Sequence, residues 1–217
     1  MTTTTVLPSL PRSLTFAAAL VLALTAASGA RAQIWTESGD AGDLVATAQS
    51  TIGSGVLTTI NGALASPTDV DLYCIKMPTV PPAGLPIVQL QCVVINGPNV
   101  WLFDATGKGV ATNATCAGAN KTIVAPTVSL APGTYYVAVS YSGLDPQSAG
   151  GAIWLPAILG QRAPDGPGAA GTLTGWAGTP LVQQINPYTI TLGFMNYCDA
   201  PTATLRGTWG SVKILYR

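Results

Sequence analysis

Histidine is absent from this 217-residue chain, and charge is scarce: nine bases and nine acids make up only 8% of it. Without imidazole there is no Ser-His-Asp or Cys-His catalysis of the usual kind, and no histidine ligand for zinc. The few scattered Lys and Arg residues offer no electrostatic footprint for nucleic acid or for an anionic membrane. Scarce charge also argues against a helical protein, whose exposed faces ordinarily carry Glu and Lys. Beyond the N-terminal leader, no long run keeps helical periodicity. The Gly-rich pieces Gly107-Lys108-Gly109 and Gly150-Gly151 lack the strand-to-helix context of a phosphate-binding loop and read as turns.

What is present begins with a processing signal. Arg12 supplies a positive end, Leu14 to Ala27 an uncharged apolar run, and Ala30-Arg31-Ala32 a small-x-small site, so residues 1–32 are expected to be a signal peptide cleaved after Ala32. The apolar run is shorter than the roughly 20 residues a permanent span needs. Cleavage leaves 185 residues with seven bases against nine acids, a formal charge of −2, enough for one β domain with its own core. Localisation is therefore expected to be secreted: extracellular, periplasmic or at the cell surface. A surface made polar by hydroxyls rather than charge leaves room for self-association.

Export makes Cys74, Cys92, Cys116 and Cys198 disulfide candidates. They stand singly, without Cys-x-x-Cys spacing, which favours disulfides over a metal site. Three pairings are open. Cys74 with Cys198 and Cys92 with Cys116 is the one preferred, the second tying the insert after Asp104 to a neighbouring strand.

Short strand patterns recur along the chain, broken by Gly, Pro and Asn turns. TDVDLYCIKM puts Val70, Leu72 and Cys74 on one face and Asp69, Asp71 and Tyr73 on the other. IVQLQCVVI is nearly all apolar and reads as a central strand. NVWLF runs into a turn at Asp104-Ala105-Thr106-Gly107, and Ala131-Pro132-Gly133-Thr134 launches YYVAVSY. PYTITLGFMNYC is the last strong strand, and Asn61-Gly62 reads as a turn. Gln161 to Gly171 is too rich in Pro and Gly for regular structure. The fold class expected is all-β, a single antiparallel jelly-roll-like β-sandwich over residues 33–198, followed by a tail or edge strand at 199–217.

DVDLYCI, NVWLFDATGKGV and LAPGTYYVAVSYSGLDP, in that order, resemble the bacterial pre-peptidase C-terminal domain family. The resemblance implies a β-sandwich that is not itself catalytic. Such domains accompany secreted enzymes or sit on surface proteins; some bind calcium, and some bind polymers such as collagen or polysaccharide. Calcium takes about six to eight oxygen ligands, and Asp40, Asp43, Asp69, Asp71 and Asp104 are the candidate donors. The competing reading has Asp69 and Asp71 facing solvent or capping turns, with Asp104 accepting N–H bonds in its own turn. Where relatives carry an acidic pair after an Asn, this chain has Ala114 and Thr115 after Asn113. Gly97 stands where an acid often precedes the strand.

Trp35, Trp154, Trp176 and Tyr141, with Tyr135 and Tyr136, are candidates for a sugar-stacking platform; the alternative is that they fill the core. The function expected is a secreted, non-enzymatic module for binding or display, with a polysaccharide or an extracellular protein as partner, and with neither nucleic acid nor a membrane span. The alternatives are a structural subunit of an extracellular assembly and, last, a carbohydrate-active enzyme using a pair among Glu37 and the Asp residues.

Overall fold

Side chains alternate between two faces along an extended chain, and here both faces of the longest strands find cover. The computed structural model describes residues 33–92, 97–116, 119–125, 130–156, 159–181 and 187–200. The expected signal peptide, residues 1–32, and residues 201–217 fall outside them. Fifteen strands and no helix occur among the described residues. They are β1 (Ile34–Thr36), β2 (Gln49–Ser50), β3 (Thr59–Ala63), β4 (Val70–Met77), β5 (Pro86–Gln91), β6 (Asn99–Asp104), β7 (Gly109–Asn113) and β8 (Asn120–Val124). There follow β9 (Gly133–Ser140), β10 (Leu144–Ser148), β11 (Gly151–Ala152), β12 (Gln161–Arg162), β13 (Gly175–Gly178), β14 (Pro187–Leu192) and β15 (Asn196–Tyr197).

A five-stranded sheet runs β1-β3-β14-β5-β8. A seven-stranded sheet runs β12-β7-β6-β9-β4-β15, with β2 also paired to β4, and a small third sheet runs β11-β10-β13. The fold is therefore an all-β sandwich. Pairing is antiparallel except at the start of the domain, where β1 lies parallel to β3 and β2 parallel to β4.

The main core lies between the two larger sheets. Tyr73, Ile75 and Met77 of β4, Val100 and Leu102 of β6, and Val137 and Val139 of β9 meet Ile60, Leu90, Ile123 and Ile190. The alternate residues of the same strands, Leu72, Trp101, Phe103 and Ala138, point the other way and build a second core with Ile153, Trp154 and Leu173. Burial of side chains this large contributes roughly 1.5–3 kcal/mol each. The seven-stranded sheet is thus covered on both faces, which is why VWLF reads as an unbroken apolar run.

Among the described residues, no third layer covers the other face of the five-stranded sheet. Thr59, Thr191, Gln89 and Thr122 stand opposite one another across four strands. Asn61 opposite Thr189, and Gln91 opposite Asn120, make up the next row. None of these outward residues is buried.

Both disulfides form as the preferred pairing has them, Cys74 with Cys198 (Cα–Cα 5.5 Å) and Cys92 with Cys116 (6.1 Å). Such bonds persist in a non-reducing environment. Among the described residues no helix is long and apolar enough to cross a membrane.

Several expectations need correcting. Asn61 and Gly62 do not turn: both lie inside β3, where Gly62 packs so closely under Tyr73 and Tyr188 that an added Cβ would meet their hydroxyls at 2.3 and 2.5 Å. A Gly in a strand marks this kind of close approach. Gln161–Arg162, read as irregular, is the short strand β12 pairing with β7. PYTITLGFMNYC is not one strand; it leaves the five-stranded sheet after Leu192, bends through exposed Phe194 (φ 62°), and joins the seven-stranded sheet as β15.

Candidate metal centre

Three of the five candidate ligands come together. Asp40 lies in the loop after β1, Asp69 just before β4, and Asp71 within it. Their carboxylate oxygens fall within 4.8 Å of one another. The loop is held there by backbone: Leu72 N–H donates to the Gly42 carbonyl at 3.0 Å, and Gln49 N–H to the Ala41 carbonyl at 3.0 Å. Asp40 Oδ1 accepts from Gly42 N–H at 2.9 Å, and Asp69 Oδ2 from Ala65 N–H.

Asp71 is the unusual member. It is fully buried, against the reading that it faces solvent, because β4 turns its Asp71–Tyr73 face into the sandwich. Its Oδ2 accepts from the Tyr188 hydroxyl, which meets the Tyr73 hydroxyl at 2.7 Å, while its Oδ1 has no partner. Burial pushes the Asp71 carboxyl up to about 8, opposed by the Tyr188 bond and reinforced by the charges of Glu37 and Asp69. Burial likewise raises Tyr73 and Tyr188. Tyr141, fully buried, also lacks a hydroxyl partner, and burial and then the Asp69 charge raise it.

Like charges this close, with one lone pair unanswered, call for a proton or a cation between them. An all-oxygen set of carboxylates suits a hard divalent cation such as calcium. Glu37, whose Oε2 accepts from Ala63 N–H at 2.8 Å, adds negative charge beside the trio.

Asp43 and Asp104 do not join. Asp43 is exposed, and its carbonyl accepts from Trp176 Nε1 at 2.7 Å. Asp104 Oδ1 accepts from Thr106 N–H, the Thr106 hydroxyl and Lys108 N–H at 2.8, 2.7 and 3.0 Å, with Gly107 at φ 82° completing the turn.

The aromatic candidates do not make a platform. Trp154 is fully buried, tilted against Trp101 with centroids 5.2 Å apart and edge-on to Phe103 at 5.6 Å, and half-buried Trp176 meets the same pair. Trp35 packs on the main core and donates to Gln49 Oε1 at 3.1 Å.

Two further features carry no sequence signal strong enough to be found beforehand. Lys121 on β8 is fully buried with no acid beside it; Nζ donates to the Gly97 carbonyl at 2.8 Å and to Asn99 Oδ1 at 2.7 Å, and burial pushes it down to about 8. A cavity of about 810 Å³ opens beside Val110, Val124 and Leu130. Of the polar groups lining it, Gln161 bonds both backbone groups of Val124 and Tyr135 donates to the Ala131 carbonyl, while Arg162 pairs with Asp165 through Nη1 and leaves its buried Nε without a hydrogen-bond partner.

No family model matches this sequence, and no curated protein matches it.

Proposed function

We propose that the chain is a secreted, non-enzymatic β-sandwich of the pre-peptidase C-terminal type, a module for binding or display outside the cell, stiffened by a divalent cation. Asp40, Asp69 and Asp71 hold the ion, with calcium the best match to their oxygens. The observation that carries this reading is the buried Asp71 Oδ1, unpartnered and within reach of two further carboxylates. The ion clamps the loop after β1 to the start of β4 and so braces the entry to the domain. Nothing in the arrangement resembles a catalytic pair: Asp71 is sealed in the core, and the chain has no histidine to serve as a base.

The test is thermal unfolding of the mature chain, beginning at Gln33, in calcium and in chelator. A ligand bound only by the native state at a hundred times its dissociation constant stabilises by about 2.7 kcal/mol. For a domain of this size that raises Tm by roughly 5–10 °C. Asp71→Asn should abolish the shift. Equal melting with millimolar calcium and with chelator would remove the ion from the reading.

A further inference from the structure

β7 and β12 form one edge of the seven-stranded sheet, and β8 is an edge of the five-stranded sheet. The Gln161 side chain ties these edges together: its Oε1 accepts from Val124 N–H at 2.7 Å and its Nε2 donates to the Val124 carbonyl at 2.9 Å. Val110 and Ala111 of β7, Arg162 of β12 and Val124 of β8 line the cavity of about 810 Å³, which therefore opens between the two sheets. Its wall continues the main core, for Ala111, Ala125, Leu130 and Tyr135 belong to both. A space of this size falls within the roughly 300–1,000 Å³ of small-molecule sites.

The charges on the lining are already answered. Three donors of its own turn hold Asp104 Oδ1, and Arg162 Nη1 reaches both Asp165 oxygens at 2.6 and 2.7 Å while Nη2 donates to the Leu155 carbonyl. Among the described residues that line the cavity, Arg162 Nε is the one buried side-chain polar atom without a partner. A buried donor left unmade costs about 1–3 kcal/mol. We propose that the cavity binds a small, uncharged, largely apolar molecule carrying a carbonyl of the ester or ketone kind, whose oxygen accepts from Arg162 Nε.

Each part of the guest matches a part of the wall. Val110, Val124 and Leu130 take its hydrocarbon, and every Å² of apolar surface covered contributes about 25 cal/mol. The carbonyl supplies the acceptor that Arg162 lacks. An anionic head meets the carboxylate of Asp104 on the same lining and competes with Asp165 for the guanidinium. A cationic head has no acceptor to offer and stands beside a like charge. The site shares no residue with Asp40, Asp69 and Asp71, and it goes beyond the reading of the chain as a cation-braced module.

Calorimetric titration of the mature, disulfide-bonded chain tests this, with methyl decanoate as a flexible probe and acetylnaphthalene as a flat one. Decanoate and decylamine serve as charged counterparts, each below its micelle-forming concentration. At least one neutral probe should bind, about tenfold or more tighter than either charged molecule. Arg162→Lys keeps a charge opposite Asp165 but removes the Nε donor, and should weaken that probe about tenfold. Ala131→Trp and Ala163→Trp, at exposed positions on the lining, fill the opening and should abolish binding at unchanged Tm. Failure of both neutral probes overturns the proposal, as does binding that survives both Trp variants. Tighter binding of decanoate or decylamine overturns the ligand class, and equal affinity in Arg162→Lys overturns the role of Nε. Titration in chelator should give the same affinity, so a chain that ignores calcium yet binds the probe would keep this site and lose only the ion.

Discussion

The two outward faces of the sandwich have opposite fates. On the seven-stranded sheet, Leu72, Trp101, Phe103 and Ala138 are roofed by Ile153, Trp154 and Leu173. On the five-stranded sheet, Thr59, Thr191, Gln89 and Thr122 meet no third layer among the described residues. Apolar alternates demand a cover and polar alternates do without one.

The comparison can be broken by substitution, beginning where the effect is largest. Trp154→Ala, in the roofed layer, removes a fully buried indole packed against Trp101 and Phe103 and should cost about 3–5 kcal/mol in urea unfolding. A cost below about 1 kcal/mol would mean that the roof is an ornament on an independent sheet.

Next comes Lys121, on the inner side of the bare sheet. Its folded pKa, about 8, lies below the unfolded 10.5, so between these values the unfolded chain binds more protons than the native one. Stability therefore rises with pH across that window, by up to an amount on the order of 3 kcal/mol. It is lost again as pH falls through the folded pKa. Chemical denaturation at pH 8.5 and 9.5, above the Asp71 carboxyl at about 8, whose titration lowers stability as pH rises, and below the range where tyrosine ionises, should show the rise in the native chain and lose it in Lys121→Met. A flat profile would place Lys121 in contact with water.

The smallest effect is expected on the bare face itself. Thr191→Ala should change stability by no more than about 0.5 kcal/mol, since an exposed hydroxyl without a protein partner has little to lose. A larger loss would show that the face is covered by something that Thr191 touches.

Much of the architecture was legible in the residues. Alternation and turn chemistry mark β4, β6 and β9, and the expected export signal plus isolated cysteines point to two disulfides. Asn61-Gly62 misled because the dipeptide's turn preference is local, whereas Tyr73 and Tyr188 demand a residue without a side chain inside β3. The carboxylate cluster was half legible. Asp69 and Asp71 share a motif, but only the β2–β4 pairing and the Leu72–Gly42 bond bring Asp40 beside them. Asp43, three residues on, is as acidic and lies outside the cluster because its carbonyl is pinned by Trp176.

By itself the sequence determined an all-β chain, poor in charge, with four cysteines placed for pairing and two faces on every strand. Which face goes inside is a different matter, because a period of two is symmetric: it separates Asp71 and Tyr73 from Leu72 without saying which set meets the opposite sheet. The tertiary structure decided it by long-range pairing. β14, some 130 residues beyond β3, lies beside it and sets Tyr188 over Asp71, burying a carboxylate where the local pattern alone suggested solvent.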